Sequence, residues 1–249
     1  MNAYAATDIG KQRQVNQDFL FCSAGPIGNL PNLFVVADGM GGHNAGDYAS
    51  RYTVEHLVEW VENTLLKDAV PIMEGAIRSV NESLWNIGRQ VISMQGLGTT
   101  LVVATVVDNV LYTANIGDSR LYLFQKELKQ ITKDHSYVEE LVERGMIRRE
   151  SVEYWNYKNI ITRAVGTSRE VKADFFEYNL SGQEILLLCS DGLTNMVSDS
   201  QIQAVLAERK TLEEKVHELI VQANENGGRD NIAVILVDLR EQEEEICCG

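Results

Sequence analysis

The chain has 249 residues, 45% hydrophobic and 23% charged, the balance of a globular protein, which excludes disordered, collagen-like and coiled-coil classes. Lysine and arginine total 22 against 36 aspartates and glutamates, a net charge of −14, so no nucleic acid and no anionic membrane is expected as a partner. The length suits a single domain, and no linker or internal repeat divides it.

Met1 to Gln14 lacks the basic and apolar regions of a signal peptide, and strand-like runs follow at Phe19–Ala24 and Leu33–Ala37. Apolar residues then recur at helical spacing: Tyr48, Tyr52, Leu57, Val61 and Leu65 across Asp47–Leu66, and Met73, Ile77, Val80, Leu84, Ile87 and Val91 after Pro71. Strand-like runs return at Thr100–Val107, Val110–Ile116 and Arg120–Phe124, the first two joined by Asp108-Asn109, a two-residue hairpin signal. Between His135 and Ile160 the chain is polar, with interspersed aromatic residues. Phe175–Leu180 and Glu184–Cys189 are expected to pair about Ser181-Gly182. Ser198 with Gln201, and Thr211 with Glu214, form capping boxes before helical segments at Ile202–Ala207 and Leu212–Ala223, and Ile232–Leu239 is the last strand. Residues 1–240 are expected to form one domain, and residues 241–249, with Glu241, Glu243, Glu244 and Glu245, an acidic flexible tail.

Strands in groups and helices in adjacent pairs exclude a doubly wound sheet and a (β/α)₈ barrel. The expected class is α+β: a β-sandwich of two antiparallel sheets, flanked on each side by a pair of antiparallel helices. The longest apolar runs, such as Ile185–Cys189, are too short to span a membrane. Cys22 and Cys189 sit inside strand-like runs as small hydrophobes, while Cys247 and Cys248 lie on the tail; neither a disulfide framework nor zinc spacing appears. A cytoplasmic location is expected.

Leu33–Ala37 runs into Asp38-Gly39, Val110–Ile116 into Gly117-Asp118, and Ile185–Ser190 into Asp191-Gly192, while Asp230 precedes the last strand. Any one of these is an ordinary turn residue. Four that meet at one edge of a sandwich would raise one another's pKa values unless cations neutralised them. Oxygen-only donors suit Mg²⁺, Mn²⁺ or Ca²⁺, and His43, His56, His135 and His217 show no zinc or iron spacing, so Mg²⁺ or Mn²⁺ is expected. His56 and His217 fall in helices as packing or surface residues; His43 and His135 lie in loops near the acids, candidates to assist proton transfer. Gly39-Met40-Gly41-Gly42 has neither the dinucleotide nor the phosphate-loop pattern, and suits a tight loop whose carbonyl reaches a cation beside Asp38.

Thr7-Asp8-Ile9-Gly10 with Arg13, Asn16, Gln17 and Asp18, then Val36 to His43, Gly98-Thr99-Thr100, Asn115 to Arg120, Ile161 to Gly166, Cys189 to Leu193 and Gly228 to Ile232 stand in a telling order. In this series the chain resembles the metal-dependent protein phosphatase family of type 2C, in its compact bacterial form, over almost its whole length. The resemblance implies hydrolysis of phosphoserine and phosphothreonine in proteins, the products of a bacterial serine/threonine kinase, by a monomer with two Mn²⁺ or Mg²⁺ ions and a weaker third. It makes Asp38 the bridge between two metals, puts the Gly39 carbonyl on one and Asp191 and Asp230 on the other. Asp18 would act through metal-bound water, Arg13 would hold the substrate phosphate, and Asp118 with Asp191 would form the third site. A hydroxide bridging the metals would attack phosphorus in line, without a protein nucleophile, which leaves Cys189 structural.

Two departures stand out. Met40 occupies a position where eukaryotic members often carry a histidine, leaving the general acid open, and Gln17 stands where many relatives have glutamate. The stretch holding Tyr154-Trp155-Asn156-Tyr157-Lys158 is similar to the family's variable flap, where substrate choice is expected to reside. Two other readings belong to different classes. A pseudophosphatase would bind phosphoproteins or a kinase without turnover, but this chain keeps Arg13 and the metal aspartates. A metal-dependent hydrolase of small phosphate esters would be told apart by comparing phosphopeptide with sugar-phosphate hydrolysis.

Overall fold

The computed structural model describes residues 1–41, 45–149 and 151–240. In chain order the elements are β1 (Asn2–Asp8), β2 (Asp18–Ser23), β3 (Leu33–Met40), α1 (Ala45–Asn63), α2 (Ala69–Gln90), β4 (Gly98–Thr99), β5 (Leu101–Val107), β6 (Val110–Ile116), β7 (Arg120–Phe124) and β8 (Leu128–Gln130). They continue with α3 (Tyr137–Glu143), α4 (Val152–Tyr157), β9 (Asp174–Asn179), β10 (Ile185–Cys189), α5 (Asp191–Thr194), α6 (Asp199–Ala207), α7 (Leu212–Glu225) and β11 (Ile232–Asp238). Every strand pairing is antiparallel: one sheet has the order β1-β11-β10-β7-β8, the other β2-β3-β5-β6-β9, with β4 added at the end of β3.

The alternation of side chains along a strand sorts the apolar residues into three cores. In β3, Phe34 and Val36 face the other sheet, while Leu33, Val35 and Ala37 face α1 and α2. In β10, Leu186 and Leu188 fill the space between the sheets, and Ile185, Leu187 and Cys189 pack under α5, α6 and α7. A strand covered on both faces has no polar side to show, which is why these segments are unbroken apolar runs. The α+β sandwich flanked by helices is therefore the observed architecture, and Cys189 is a fully buried core residue.

Phe175–Leu180 and Glu184–Cys189 do not pair with each other: β9 joins β6 in one sheet, and β10 lies between β7 and β11 in the other. Turn residues at Ser181-Gly182 are equally suited to a crossing between layers. β1 was not expected; its partly exposed edge, alanine-rich and of low strand propensity, gives little signal until β11 supplies the partner. Asp38 lies inside β3 instead of beyond its end, because Gly39 and Met40 pair with Thr99 and Gly98. The first helix stops at Asn63, leaving Leu65 94% exposed. Both capping boxes are formed as expected, by Ser198 with Gln201 and by Thr211 with Glu214. Among the described residues no helix is long and apolar enough to cross a membrane. Expectations for Gly42, His43 and the 241–249 tail, with Cys247 and Cys248, fall outside the described residues.

Candidate active site

Asp18 opens β2 and stands directly opposite Asp38 on β3, a cross-strand pairing of like charges that is unfavourable by itself. The backbone of Asp38 is held fast. Its N–H donates to Thr100 Oγ1 at 2.9 Å, and its carbonyl accepts from the Thr100 N–H at 2.8 Å and the Thr99 hydroxyl at 2.9 Å. Thr100 Oγ1 also shares a 2.7 Å hydrogen bond with Ser119 Oγ, tying β3 to the turn that carries Asp118. That turn closes through Gly117 at φ 100°, where a β-carbon would lie 2.6 Å from the Thr100 methyl. Gly39 is equally confined: a β-carbon would strike the carbonyls of Gly46 and Gln17.

The other acids arrive from the opposite sheet. Asp191 is the first residue of α5, and the hydroxyl of the preceding Ser190 donates to Asp18 Oδ2 at 2.6 Å while accepting the Ala233 N–H at 2.9 Å. One buried side chain thus joins β2, β10 and β11. Asn231 does the same for the loop bearing Arg13: its Oδ1 accepts the Gln17 N–H at 2.9 Å, and its Nδ2 donates to the carbonyls of Ile9 at 2.9 Å and Val15 at 3.1 Å. Asp230 precedes Asn231 and accepts an Arg13 guanidinium hydrogen bond at 2.7 Å. Ser190 and Asn231 stand within the motifs, but as neutral polar residues beside aspartates they give no charge signal of their own.

Electrostatically the acids form one group. Burial pushes the Asp18 carboxyl up to about 7, against the hydrogen bond from Ser190 and with help from Asp191. Burial likewise raises Asp191 to about 6, with Asp230 adding to it, and lifts Asp38 and Asp118 well above the usual carboxylate range. Asp38 feels all four of the others, Asp18, Asp191, Asp118 and Asp230. Arg13 is affected in turn by Asp230, Asp38 and Asp191. The six side chains named from the sequence are therefore brought together.

Two carboxylate oxygens, Asp18 Oδ1 and Asp191 Oδ1, are buried without a hydrogen-bond partner. Such atoms cost free energy unless something positive meets them. Among the described residues, no three Asp, Glu, His or Cys side chains already stand as a finished cage for a cation. The carboxylates are instead turned onto Ser190, Asn195 and Arg13, with Asn195 Nδ2 donating to Asp191 Oδ2 at 2.8 Å. The donors are oxygen only, the chemistry of a hard divalent cation.

His135 has both ring nitrogens engaged: Nδ1 accepts the Gly117 N–H at 3.1 Å and Nε2 faces Asp174 Oδ2 at 3.1 Å. Burial lowers its pKa. It props the turn before Asp118, with both ring nitrogens already engaged. His56 stacks on Tyr52 at 3.7 Å, and His217 lies exposed beside the Tyr4 ring, both as expected. Met40 is half-buried opposite Gly98.

With this geometry in place, the likeness to known proteins is specific. A family model described as "Protein phosphatase 2C" matches residues 9–236. A serine/threonine phosphatase, stp, of Listeria monocytogenes serotype 4b is 41% identical over 245 residues, covering 96% of each chain. The structure of the serine/threonine phosphatase Stp1 from Staphylococcus aureus superposes with a TM-score of 0.89 at 35% identity, over 96% of this chain and 95% of that one. The catalytic domain of the serine/threonine protein phosphatase PstP, solved with two manganese ions, gives a TM-score of 0.83 at 33% identity, over 95% and 97%. Fold, clustered acids and full-length likeness agree: the chain belongs to the protein phosphatase 2C family and is an enzyme of the serine/threonine phosphatase class.

Proposed function

We propose that residues 1–240 form a single catalytic domain that removes phosphate from phosphoserine and phosphothreonine in proteins, at a site holding two Mn²⁺ or Mg²⁺ ions. One observation carries the reading: Asp18, Asp38, Asp118, Asp191 and Asp230 converge from both sheets beside Arg13, with two of their oxygens buried and unsatisfied. The residues fit the ions, since buried anionic oxygens are what a divalent cation neutralises. The manganese-bound PstP structure supports both the metal and the number two.

Asp38 would bridge the ions, with the Gly39 carbonyl on one and Asp191 and Asp230 on the other; Asp118 with Asp191 would hold a weaker third. When bound, the ions would supply Lewis acidity, a lowered pKa for water at the site and neutralisation of charge on the phosphoryl oxygens. Asp18, fixed by Ser190, orients water at that site. Arg13 presents a planar fork of donors at the rim, suited to two phosphate oxygens at once. Cys189 takes no part, because its thiol is fully buried and burial raises its pKa far from reactivity. The substrates would be phosphoproteins made by a serine/threonine kinase.

The test is phosphate release from a phosphothreonine peptide in Mn²⁺, repeated with a chelator and with Asp38→Ala and Asp191→Ala. Activity is expected to need the metal and to fall in each variant by more than the roughly 10–100-fold typical of an outer-shell partner. A folded variant with near-normal turnover would overturn the assignment.

A further inference from the structure

Beside the acid cluster lies a cavity of about 420 Å³, walled by Trp155, Lys158, Asn195, Met196, Arg229 and Asp230. Its lining meets the proposed catalytic group at Asp230 and at Asn195, the partner of Asp191. Its outer wall is the end of α4, where the Lys158 ammonium lies 4.6 Å over the ring of Trp155. Trp155 is 60% exposed, the largest side chain of that segment left open to water. A large exposed ring with an ammonium stacked on it is not needed to hold a six-residue helix, whose dipole is small.

The charges of this wall run against those of the molecule. Acids outnumber bases by 36 to 22 over the whole chain, while this wall brings Lys158 and Arg229 to one cavity. Among the described residues no carboxylate lies within ion-pair distance of either cation. Lys158 is half-buried, with Asp191 and Asp118 within electrostatic reach and Arg120 and Arg229 acting against them. Two cations that have no ion-pair partner among the described residues, beside a site for a phosphate dianion, make a second place for negative charge.

We propose that Lys158 and Arg229 form a subsite for a second anionic group on the substrate, close in sequence to the phosphorylated residue, with Trp155 as the surface on which the intervening chain lies. This rests on the phosphoprotein reading above. A cavity of this volume is roughly 7–9 Å across, two to three residues of extended chain, so the anion belongs about two or three positions from the phosphoresidue. A carboxylate and a second phosphate present the same chemistry, and the test separates them.

Peptides carry a non-hydrolysable phosphonate in place of phosphothreonine, with Ala, Asp or phosphoserine two or three residues before or after it. Their affinity for the Mn²⁺-loaded full chain is read by fluorescence anisotropy. One acidic arrangement is expected to bind roughly 5- to 20-fold tighter than the Ala peptide, a preference that shrinks in high salt. A further gain with phosphoserine over Asp identifies phosphate as the favoured anion; equal gains identify charge alone. Lys158→Glu and Arg229→Glu should each abolish or invert the preference, and the milder Lys158→Met and Arg229→Gln should reduce it. Equal affinities in the unsubstituted chain, or a preference kept by all four variants, would overturn the subsite. Hydrolysis of an aryl phosphate by the unsubstituted chain reports separately on the catalytic reading, so a failure of either is seen on its own.

Discussion

At the scale of single residues, Arg13 carries the sharpest expectation. It is held at the rim by one ion pair to Asp230 and by a loop that Asn231 fastens, so it is positioned without being buried. Losing a charge-assisted pair to phosphate is worth about 1.5–3 kcal/mol, on the order of 10–100-fold. Arg13→Ala should therefore raise KM for a phosphothreonine peptide by that factor while leaving Mn²⁺ affinity unweakened, since the change also frees Asp230 Oδ2. Steady-state kinetics with a parallel calorimetric metal titration checks both halves; an unchanged KM makes Arg13 a surface residue. Asp38, Asp118, Asp191 and Asp230 are legible in the sequence because a charge beside an apolar strand breaks the pattern, whereas Asp18 is legible only through the resemblance of the motif that holds it. Ser190 and Asn231 are not, because their work consists of long-range hydrogen bonds to Asp18, Ile9 and Val15 that only the fold brings within reach.

At the scale of elements, the site depends on how strand ends are tied together. Thr100, between β4 and β5, bonds the β3 backbone at Asp38 and the hydroxyl of Ser119 before β7. Thr100→Val keeps the shape and removes the hydroxyl, leaving the Asp38 N–H without its acceptor, at a cost of about 1–3 kcal/mol. Thermal unfolding should show that loss, and Mn²⁺ affinity should fall by roughly 10–100-fold, as for other groups that orient a ligand. Thr100→Ser should restore both. A valine variant that equals the parent in both measurements would remove the clamp from the account. Element identity followed from local pattern: the capping boxes at Ser198 and Thr211 need only residues three apart, and both are formed. Pairing did not. Whether the chain after β9 turns back or crosses to the other sheet is decided by partners such as Val110–Asn115 and Val234–Asp238, far away in sequence.

At the scale of the whole molecule, the clustered acids link stability, pH and metal. Asp18 titrates near 7 and Asp191 near 6 in the native chain, against about 3.9 when unfolded. Between those values the native state holds protons that the unfolded state has released, so this pair lowers stability as pH rises from about 4 to 7. Asp174 and Glu139 have lowered pKa values, with hydrogen bonds from His135 and Arg163 to the first and from Arg149 and Tyr154 to the second outweighing burial; they act in the opposite sense and lose their contribution as pH falls. Metal addition isolates the first effect. A cation at the acids competes with protons at pH 5 and meets bare carboxylates at pH 7.5, so its stabilisation should grow with pH. Binding at one hundred times Kd contributes about 2.7 kcal/mol. At roughly 2–4 °C per kcal/mol for a chain of this size, Mn²⁺ should raise Tm at pH 7.5 by on the order of 5–10 °C, and by clearly less at pH 5. Asp38→Ala, lacking the proposed bridge, should lose most of the gain at pH 7.5 while remaining folded. An equal shift at both pH values would mean that the cation binds elsewhere on the acidic surface, since exposed carboxylates are already ionised at pH 5 and would give Mn²⁺ no reason to prefer the higher pH.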